Sequence, residues 1–410
     1  MTRRTPAREP ARASAAARDP YGLGPARPYV APAIALLALA LVGVVTLSLM
    51  NGQLPFKSSS GGGGGGGDNG PDRTPAPSNV VIVEPDVTFP GSMVYAKAGN
   101  IWIQTNEAAK QLTSSGGDSM PSWSPDGQSI YYIRSTNEDG FWPFKGGPPN
   151  HYALSVPHLM RVPADGSAEP EELATGFVKD GRLKWSAWMR QPVLSPDGKT
   201  IALVTDAPHP DDSNVVLQLY DLQRKRLTRT GVKEVGVLGH QDPEWRPDGK
   251  YLLYTMNNRD GARGSPVIMR FDPKAKEARP LTTAGYMQPS YSPDGRYIAA
   301  TRTNTLGTDV VILNASNGNE LLRITNDDAS WAPSWSPAGD AIAFLHIAGQ
   351  TVDLRLAKLD GTGPTWTVAG TENLTEVSGL DAASRPDWYI PPALLPAAGT
   401  AAPSAASPSP

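Results

Sequence analysis

The stretch QPSYSPDGRYIAAT, residues 288–301, decides the fold. It contains a proline, an aromatic residue two positions later, the sequence Ser-Pro-Asp-Gly, and then an alternating apolar segment. Proline presets φ in a tight turn, aspartate forms local hydrogen bonds there, and glycine accepts a positive φ. The stretch is therefore predicted to be two short β-strands joined by a turn. Four further copies of this repeat motif are MPSWSPDGQSIYYI (120–133), QPVLSPDGKTIALV (191–204), DPEWRPDGKYLLYT (242–255) and APSWSPAGDAIAFL (332–345).

The repeat proline recurs at intervals of 44 to 71 residues and defines six units, at Pro121, Pro192, Pro243, Pro289, Pro333 and Pro386. After each full motif come a third strand and a hairpin, as in VVILNASNGNELLRIT, residues 310–325. A unit of this length built from strands and turns is typical of a four-stranded propeller blade. One large residue per unit is expected to pack between neighbouring blades, namely Trp123, Trp245, Tyr291, Trp335 and Trp388, with Leu194 in one copy.

The two ends of the repeat region complement each other. Residues 92–113, SMVYAKAGNIWIQTNEAAKQLT, supply three strands without a repeat motif before them, and residues 384–390, SRPDWYI, supply a first strand alone. Pairing the two fragments closes a ring and removes two exposed sheet edges. The predicted fold is all-β: a six-bladed β-propeller with a composite closing blade over residues 80–390, preceded by one transmembrane helix and a Gly-rich linker.

The PSWSPDG motif, with the strand and hairpin that follow it, resembles the repeat of TolB-like six-bladed β-propellers. That repeat is called PD40 and is similar to the WD40 repeat. The resemblance covers residues 90–390, and the same repeat occurs in the propellers of prolyl-oligopeptidase relatives. It implies a propeller of the kind that usually binds other proteins. TolB carries a separate α/β domain before its propeller, whereas a membrane anchor and a linker are predicted at that place here.

Four segments outside the propeller have distinct compositions. Residues 1–28, with six arginines against two acidic residues, are predicted to be a disordered cytoplasmic leader. Residues 29–50 carry no charge and would span about 33 Å as a helix, which is enough to cross a bilayer. The N-terminal arginines favour an N-in orientation, with the propeller outside the cell membrane. A cleavable signal peptide is the alternative. Residues 51–79 are a flexible Gly/Ser/Pro linker and residues 391–410 a disordered tail.

Composition and motifs argue against several classes of function. A net charge of −3 gives no basic field for nucleic acid, and the absence of cysteine removes disulfides, thiolate catalysis and cysteine metal sites. The sequence contains no phosphate loop and no Gly-x-Ser-x-Gly elbow, so no enzyme, cofactor or metal site is predicted. The turn residues Asp126, Asp197, Asp248 and Asp294 are assigned to local hydrogen bonds.

The unusual segments all fall on one rim of the predicted propeller. They are an enlarged loop between second and third strands at 136–157, a second such loop at 207–212, and long crossings between blades at 176–190 and 231–241. We expect this rim to bind a protein partner in the cell envelope, with the candidate residues Phe141, Trp142, Phe144, Tyr152, Trp185, Trp188, His209, His240, Tyr286 and Trp331. The predicted function is an interaction module or accessory subunit of an envelope complex. A propeller that binds a glycan or small ligand, and a hydrolase or lyase sited in the channel, are the alternatives.

Overall fold

The computed structural model describes residues 80–81, 88–143, 149–207, 214–233, 239–257 and 266–395, with backbone alone at 80–81, 142–143 and 149–150. They belong to one compact unit, Asp72–Pro410. The predicted leader, transmembrane helix and linker lie outside the described residues. The predicted tail begins with a short 3-10 helix, Pro392–Leu394, and its remainder also lies outside. Within the described residues, no helix has the length and apolar character that crossing a membrane requires.

The described residues form 27 β-strands. In chain order they are β1 (Val80–Val81), β2 (Ser92–Lys97), β3 (Asn100–Gln104), β4 (Ala109–Gln111), β5 (Asp118–Trp123), β6 (Ser129–Pro143), β7 (Pro149–Pro163), β8 (Glu171–Thr175), β9 (Phe177–Asp180), β10 (Leu183–Ser186), β11 (Met189–Leu194), β12 (Thr200–Thr205), β13 (Val216–Asp221), β14 (Arg226–Arg229), β15 (His240–Trp245), β16 (Leu252–Met256), β17 (Val267–Asp272), β18 (Glu277–Pro280), β19 (Tyr286–Tyr291), β20 (Tyr297–Thr303), β21 (Thr308–Asn314), β22 (Glu320–Arg323), β23 (Ser330–Trp335), β24 (Ala341–Ala348), β25 (Thr351–Asp360), β26 (Thr367–Asn373) and β27 (Asp387–Tyr389).

These strands make six antiparallel sheets, which confirms the predicted six-bladed propeller. Blade 1 has the strand order β1-β4-β3-β2-β27 and blade 2 contains β5-β6-β7-β8. Blades 3 to 6 are β11–β14, β15–β18, β19–β22 and β23–β26, each with its four strands in sequence order. The first strand of each repeat is the innermost strand of its blade.

Blade 1 is the composite blade that the sequence predicts. Met93 of β2 pairs with Trp388 of β27, and Ser92 pairs with Tyr389. The indole Nε1 of Trp388 donates to the Pro90 carbonyl oxygen at 2.8 Å, and its ring meets Phe89 edge-on with centroids 5.9 Å apart. The two ends of the propeller are therefore joined by backbone pairing, a side-chain hydrogen bond and a buried aromatic contact.

The innermost strands of blades 2 to 6 share a bulge at the repeat proline. The residue before that proline has a positive φ of 50–55° in all five, at Met120, Gln191, Asp242, Gln288 and Ala332. The strand register shifts at the same place, for example between Ser119 and Ser122. A bulge lets the proline, which has no N–H to donate, sit inside a paired strand, and it turns the preceding side chain toward the propeller axis.

Apolar clusters between adjacent blades form the core. Trp335 of blade 6 packs with Tyr297 and Ala299 of blade 5, and Trp123 of blade 2 lies 5.4 Å from the Tyr389 ring of blade 1. Tyr291, Trp335, Trp388 and Leu194 are all buried. The repeat aromatics therefore pack between adjacent blades, as their position in the motif predicts.

The Ser-Pro-Asp-Gly turn is held together by its own side chains. In blade 5 the Ser292 hydroxyl donates to Asp294 Oδ1 at 2.6 Å, and the N–H groups of Arg296 and Tyr297 donate to Asp294 and to Ser292 Oγ. Ser124–Asp126 and Ser195–Asp197 repeat the pattern in blades 2 and 3. These bonds lower the pKa of Asp126 and Asp197, and they confirm the local role predicted for the turn aspartates.

The segment at 136–157 differs from the enlarged loop that the sequence predicts. β6 and β7 are 15-residue strands that pair continuously from Ser129–Pro163 to Pro143–Pro149. The corresponding second strands of blades 3 to 6 have five to eight residues. The paired segments 137–143 and 149–155 therefore continue beyond blade 2, and together they are here called the hairpin arm.

Candidate partner-binding surface

The hairpin arm projects from the rim where the innermost strands begin. Its strands continue for seven paired positions beyond the part of β6 and β7 that lies within the blade, about 23 Å of extended chain. Its side chains alternate, so that Asn137 and Asp139 are exposed while Glu138 and Gly140 are more buried. On β6 the exposed side chains of the arm are therefore polar, whereas β7 also exposes Tyr152.

The long crossing at 176–190 forms a second hairpin, β9–β10, which adds to the arm. β10 pairs with β6 through Lys184 and Phe141, and the strand order becomes β7-β6-β10-β9. The Ser186 hydroxyl donates to the Ser155 carbonyl oxygen at 2.9 Å. The predicted crossing is therefore a four-stranded extension of the arm, and its outermost strand β9 pairs only with β10 among the described strands.

Charges on the two hairpins complement each other. Asp139 of the arm lies 3.7 Å from Lys184 Nζ and 3.3 Å from His151 Nδ1. All three side chains are well exposed, so each ion pair contributes little to stability. Of the two contacts, only the one between Asp139 and Lys184 joins β10 to the arm.

Three of the predicted rim aromatics are at least partly accessible. Trp188 follows β10 and is 56% exposed, with the Arg190 guanidinium 5.7 Å from its ring centroid. Tyr152 on the arm is 36% exposed. Phe141 is half-buried and stacks edge-on against His151, with centroids 5.1 Å apart. These residues lie on the arm and on the crossing beside it.

Four other predicted rim residues pack into the propeller. Trp185 is buried in β10, and Trp331 donates from its indole nitrogen to the Ala382 carbonyl at 3.0 Å. Tyr286 donates to Glu320 Oε2 at 3.0 Å. His240 is fully buried, accepts the Leu217 N–H at its Nδ1 and lies 4.5 Å from the Tyr254 ring. A side chain buried in this way has no surface to offer a partner, so His240 is not part of the binding surface.

Three of the predicted residues fall wholly or partly outside the described structure. Phe144 and His209 are outside the described residues, and only the backbone of Trp142 is described, paired with Asn150 in the arm. Their role in binding stays a prediction.

The propeller axis carries a buried ionic cluster that the sequence analysis missed. Arg385 donates to Glu244 Oε2 at 2.7 Å and to the Pro289 carbonyl at 2.6 Å. Gln191 and Asp242 exchange two hydrogen bonds, of 2.6 and 2.9 Å. Asp387 accepts the Trp123 N–H at 2.8 Å. Innermost strands from opposite sides of the ring are thus linked across the axis.

Burial raises the pKa of the three carboxyl groups in this axial cluster, Asp242, Glu244 and Asp387, and the positive charge of Arg385 acts in the opposite direction. The cavity beside them, lined by Gln191, Asp242 and Arg385, has a volume of about 30 Å³, which is room for about one water molecule. The cluster is therefore suited to cross-linking the blades.

A sequence signal for the cluster did exist. Its members lie directly before or after the repeat proline, where bulged innermost strands turn their side chains toward the axis. Charged residues occupy these positions at Asp242, Glu244, Arg385 and Asp387, whereas the other four copies have uncharged residues there. Aligning the positions that flank the proline would have brought them together.

Metal coordination finds no support in the part of the chain that the structure describes. No group of three or more histidine, aspartate or glutamate side chains there is arranged to hold an ion.

The fold and its motif define a class of protein, the six-bladed β-propellers built from Ser-Pro-Asp-Gly repeats. Residues 173–371 match the family described as TolB beta propeller domain, PD40. The blades in this range are therefore similar to those of TolB-like β-propellers.

Two similar proteins indicate the extent of the likeness. The Tol-Pal system protein TolB of Francisella tularensis subsp. tularensis (strain WY96-3418) is 29% identical over 247 residues, which cover 59% of this chain and 48% of that protein. The crystal structure of TolB from Acinetobacter baumannii superposes with a TM-score of 0.51 at 20% identity, covering 73% of this chain and 66% of the other. The chain thus spans about half the length of the curated relative, and the structural likeness concerns the fold alone.

Proposed function

We propose that this protein is a membrane-anchored propeller outside the cell membrane that binds a protein partner through the rim bearing the hairpin arm. The binding surface consists of the arm, the β9–β10 hairpin and the exposed ring of Trp188. It serves as an interaction module or an accessory subunit of a cell-envelope complex.

The observation that carries the proposal is the extension of blade 2. Strands of 15 residues exceed what the blade needs, since β5 and β8 cover only the propeller-proximal part of β6 and β7. Beyond that part, one side of β7 has no partner among the described strands. An exposed strand edge offers backbone N–H and C=O groups to an incoming strand, which is a common means of protein recognition.

Accessible aromatic side chains beside the edge strengthen the proposal. Trp188 and Tyr152 keep large apolar areas in contact with water, and tryptophan and tyrosine are the residues that most often dominate protein interfaces. The Arg190 guanidinium over the Trp188 ring limits the number of conformations that the indole adopts. An ordered aromatic side chain loses less entropy when a partner covers it.

Placement in the envelope is supported by the sequence. The uncharged segment 29–50, with arginines before it, is long enough for a bilayer anchor, and the following Gly/Ser linker gives the propeller reach. The curated relatives are named as Tol-Pal system proteins, which supports a role within a multi-component system.

Site-specific photo-crosslinking in cells of the source organism tests the proposal. A photoreactive amino acid at Trp188 or Tyr152 of the full chain is expected to trap one protein of constant mass. The matched control is the same amino acid at Lys199, which is 79% exposed on the opposite rim. Equal adducts at position 199, or no adduct from either Trp188 or Tyr152, would rule out this surface as the binding site.

A further inference from the structure

Blade 4 departs from the repeat motif at one position. Its turn reads Trp-Arg-Pro-Asp-Gly, so that Arg246 replaces the serine found at Ser124, Ser195, Ser292 and Ser336. In blades 2, 3 and 5 this serine donates to the turn aspartate and also accepts the N–H five residues later. Arg246 retains an ion pair with Asp248 but has no hydroxyl to accept the Tyr251 N–H. Arg246 also donates from Nε to the Gly295 carbonyl oxygen of blade 5 at 3.4 Å, so this turn faces its neighbouring blade in a way that the serine turns do not.

A pocket opens at the position of the substitution. It lies between blades 4 and 5 on the turn rim, opposite the hairpin arm, and has a volume of about 400 Å³. Volumes of this size are typical of ligand sites. Three arginines and three tyrosines line it, namely Arg246, Arg270, Arg296, Tyr251, Tyr291 and Tyr297.

The pocket carries one uncompensated positive charge. Arg246 pairs with Asp248 and Arg296 with Asp294, whereas Arg270 forms no ion pair with any described carboxylate. Arg270 instead lies over the Tyr251 ring, 5.2 Å from its centroid. On the sheet it stands directly opposite Arg279, whose own charge is paired with Glu277. Arg270 is therefore the arginine of the pocket that is left to meet an anionic ligand.

Tyrosine surfaces complete the pocket. Tyr291 and Tyr297 are 6% and 7% exposed and form its floor. Burial raises the pKa of Tyr291, while the positive charges of Arg246 and Arg270 act in the opposite direction. The site therefore combines positively charged guanidinium groups with the flat, partly apolar rings of tyrosine.

We propose that this pocket binds the carboxylate of an acidic peptide segment belonging to another protein. The guanidinium of Arg270 receives the carboxylate through two parallel N–H donors, and the tyrosine rings contact the aliphatic or aromatic part of the peptide. The carboxylate of the peptide supplies the ion-pair partner that Arg270 does not have among the described residues. This site is separate from the hairpin-arm surface and does not depend on it.

Small fluorinated probes test the proposal on the full 410-residue chain in non-ionic detergent micelles. The probe is acetyl-4-fluorophenylalanyl-glutamate amide, its neutral control is the glutamine analogue, and phenyl phosphate and glucuronate represent other anions. Binding is measured by ¹⁹F NMR line broadening. The glutamate probe is expected to bind with a Kd in the millimolar range, and the glutamine analogue about tenfold more weakly, the loss expected from one charge-assisted hydrogen-bonded pair.

Two substitutions with a matched control separate a binding site from a structural role. Arg270→Met is expected to weaken the glutamate probe about tenfold, while Arg279→Met, on the facing strand and outside the pocket, leaves its Kd unchanged. Arg246→Ser restores the repeat serine, so it is expected to weaken the probe while the melting temperature stays constant or rises. That combination is the opposite of what a structural arginine would give.

Other results would overturn the proposal. They are equal binding of the glutamate and glutamine probes, unchanged binding by Arg270→Met, and no binding of any probe up to about 20 mM. Binding of phenyl phosphate or glucuronate in the absence of glutamate-probe binding would assign the pocket to a phosphorylated or glycan ligand instead.

Discussion

Replacing Trp388 by alanine tests whether the composite blade holds the ring closed. Trp388 is 5% exposed, meets Phe89 edge-on and donates to the Pro90 carbonyl. Its removal leaves a large cavity between the two chain ends and an unpaired carbonyl oxygen. A buried tryptophan covers about 200 Å² of apolar surface, so the free energy of unfolding is expected to fall by about 4 kcal/mol.

The assay is urea unfolding of the full chain in detergent, followed by near-UV circular dichroism, with a thermal melt as a second measurement. A loss of about 4 kcal/mol corresponds to a fall of roughly 6 °C in Tm for a domain of this size. The matched control is Trp188→Ala, because Trp188 is 56% exposed and its loss should change stability by no more than about 0.5 kcal/mol. Equal losses in the two variants would refute the closing role of Trp388.

Three further predictions concern other parts of the molecule. Gly239→Ala should lower the free energy of unfolding in urea by about 2 kcal/mol more than Gly249→Ala does. A Cβ at Gly239 would lie 1.9 Å from the Val215 carbonyl oxygen, whereas a Cβ at Gly249 meets open space. Equal losses would contradict the close approach at Gly239. Burial raises the folded-state pKa of Asp242 above its unfolded value, so its contribution to stability is complete below about pH 4 and is lost as the pH rises through the folded pKa. Asp242→Asn cannot ionise, and its stability relative to the parent should therefore be higher at pH 8 than at pH 4.5; a pH-independent difference would contradict this. Because the chain has no cysteine, Lys199→Cys and Ser14→Cys give single labelling sites; an impermeant maleimide should label the first in intact cells and the second only after lysis, and the reverse pattern would contradict the N-in orientation.

The propeller could be predicted because its information is local and repeated. Each Ser-Pro-Asp-Gly turn makes its own hydrogen bonds, as Ser292 and Asp294 do, and each repeat aromatic needs only its neighbouring blade. The number of repeat motifs, counted along the sequence, therefore predicted the number of blades. The single strand around Trp388 predicted the closure of the ring. It has an unpaired edge, and so does the three-stranded fragment at the start of the propeller, so the two fragments complete one blade by pairing with each other.

The candidate surface was harder to predict because its structure depends on long-range pairing. The arm sequence is rich in Gly, Pro and polar residues, which favour a loop, yet pairing with itself and with β10 makes it a sheet. The burial of His240 depends on Tyr254 and on the Leu217 N–H, both from other strands. Neither neighbour is visible in the sequence around the histidine.

The composite blade also sets the order of events during biosynthesis. The Pro90 carbonyl oxygen accepts a hydrogen bond from Trp388, which is 298 positions downstream. The ribosome adds that tryptophan about 15–60 s after Pro90. Until then β2 has a free edge, and any nascent chain shorter than about 388 residues remains an open arc that is exposed to proteases and chaperones. Quality control of a truncated product is thus built into the order in which the strands are made.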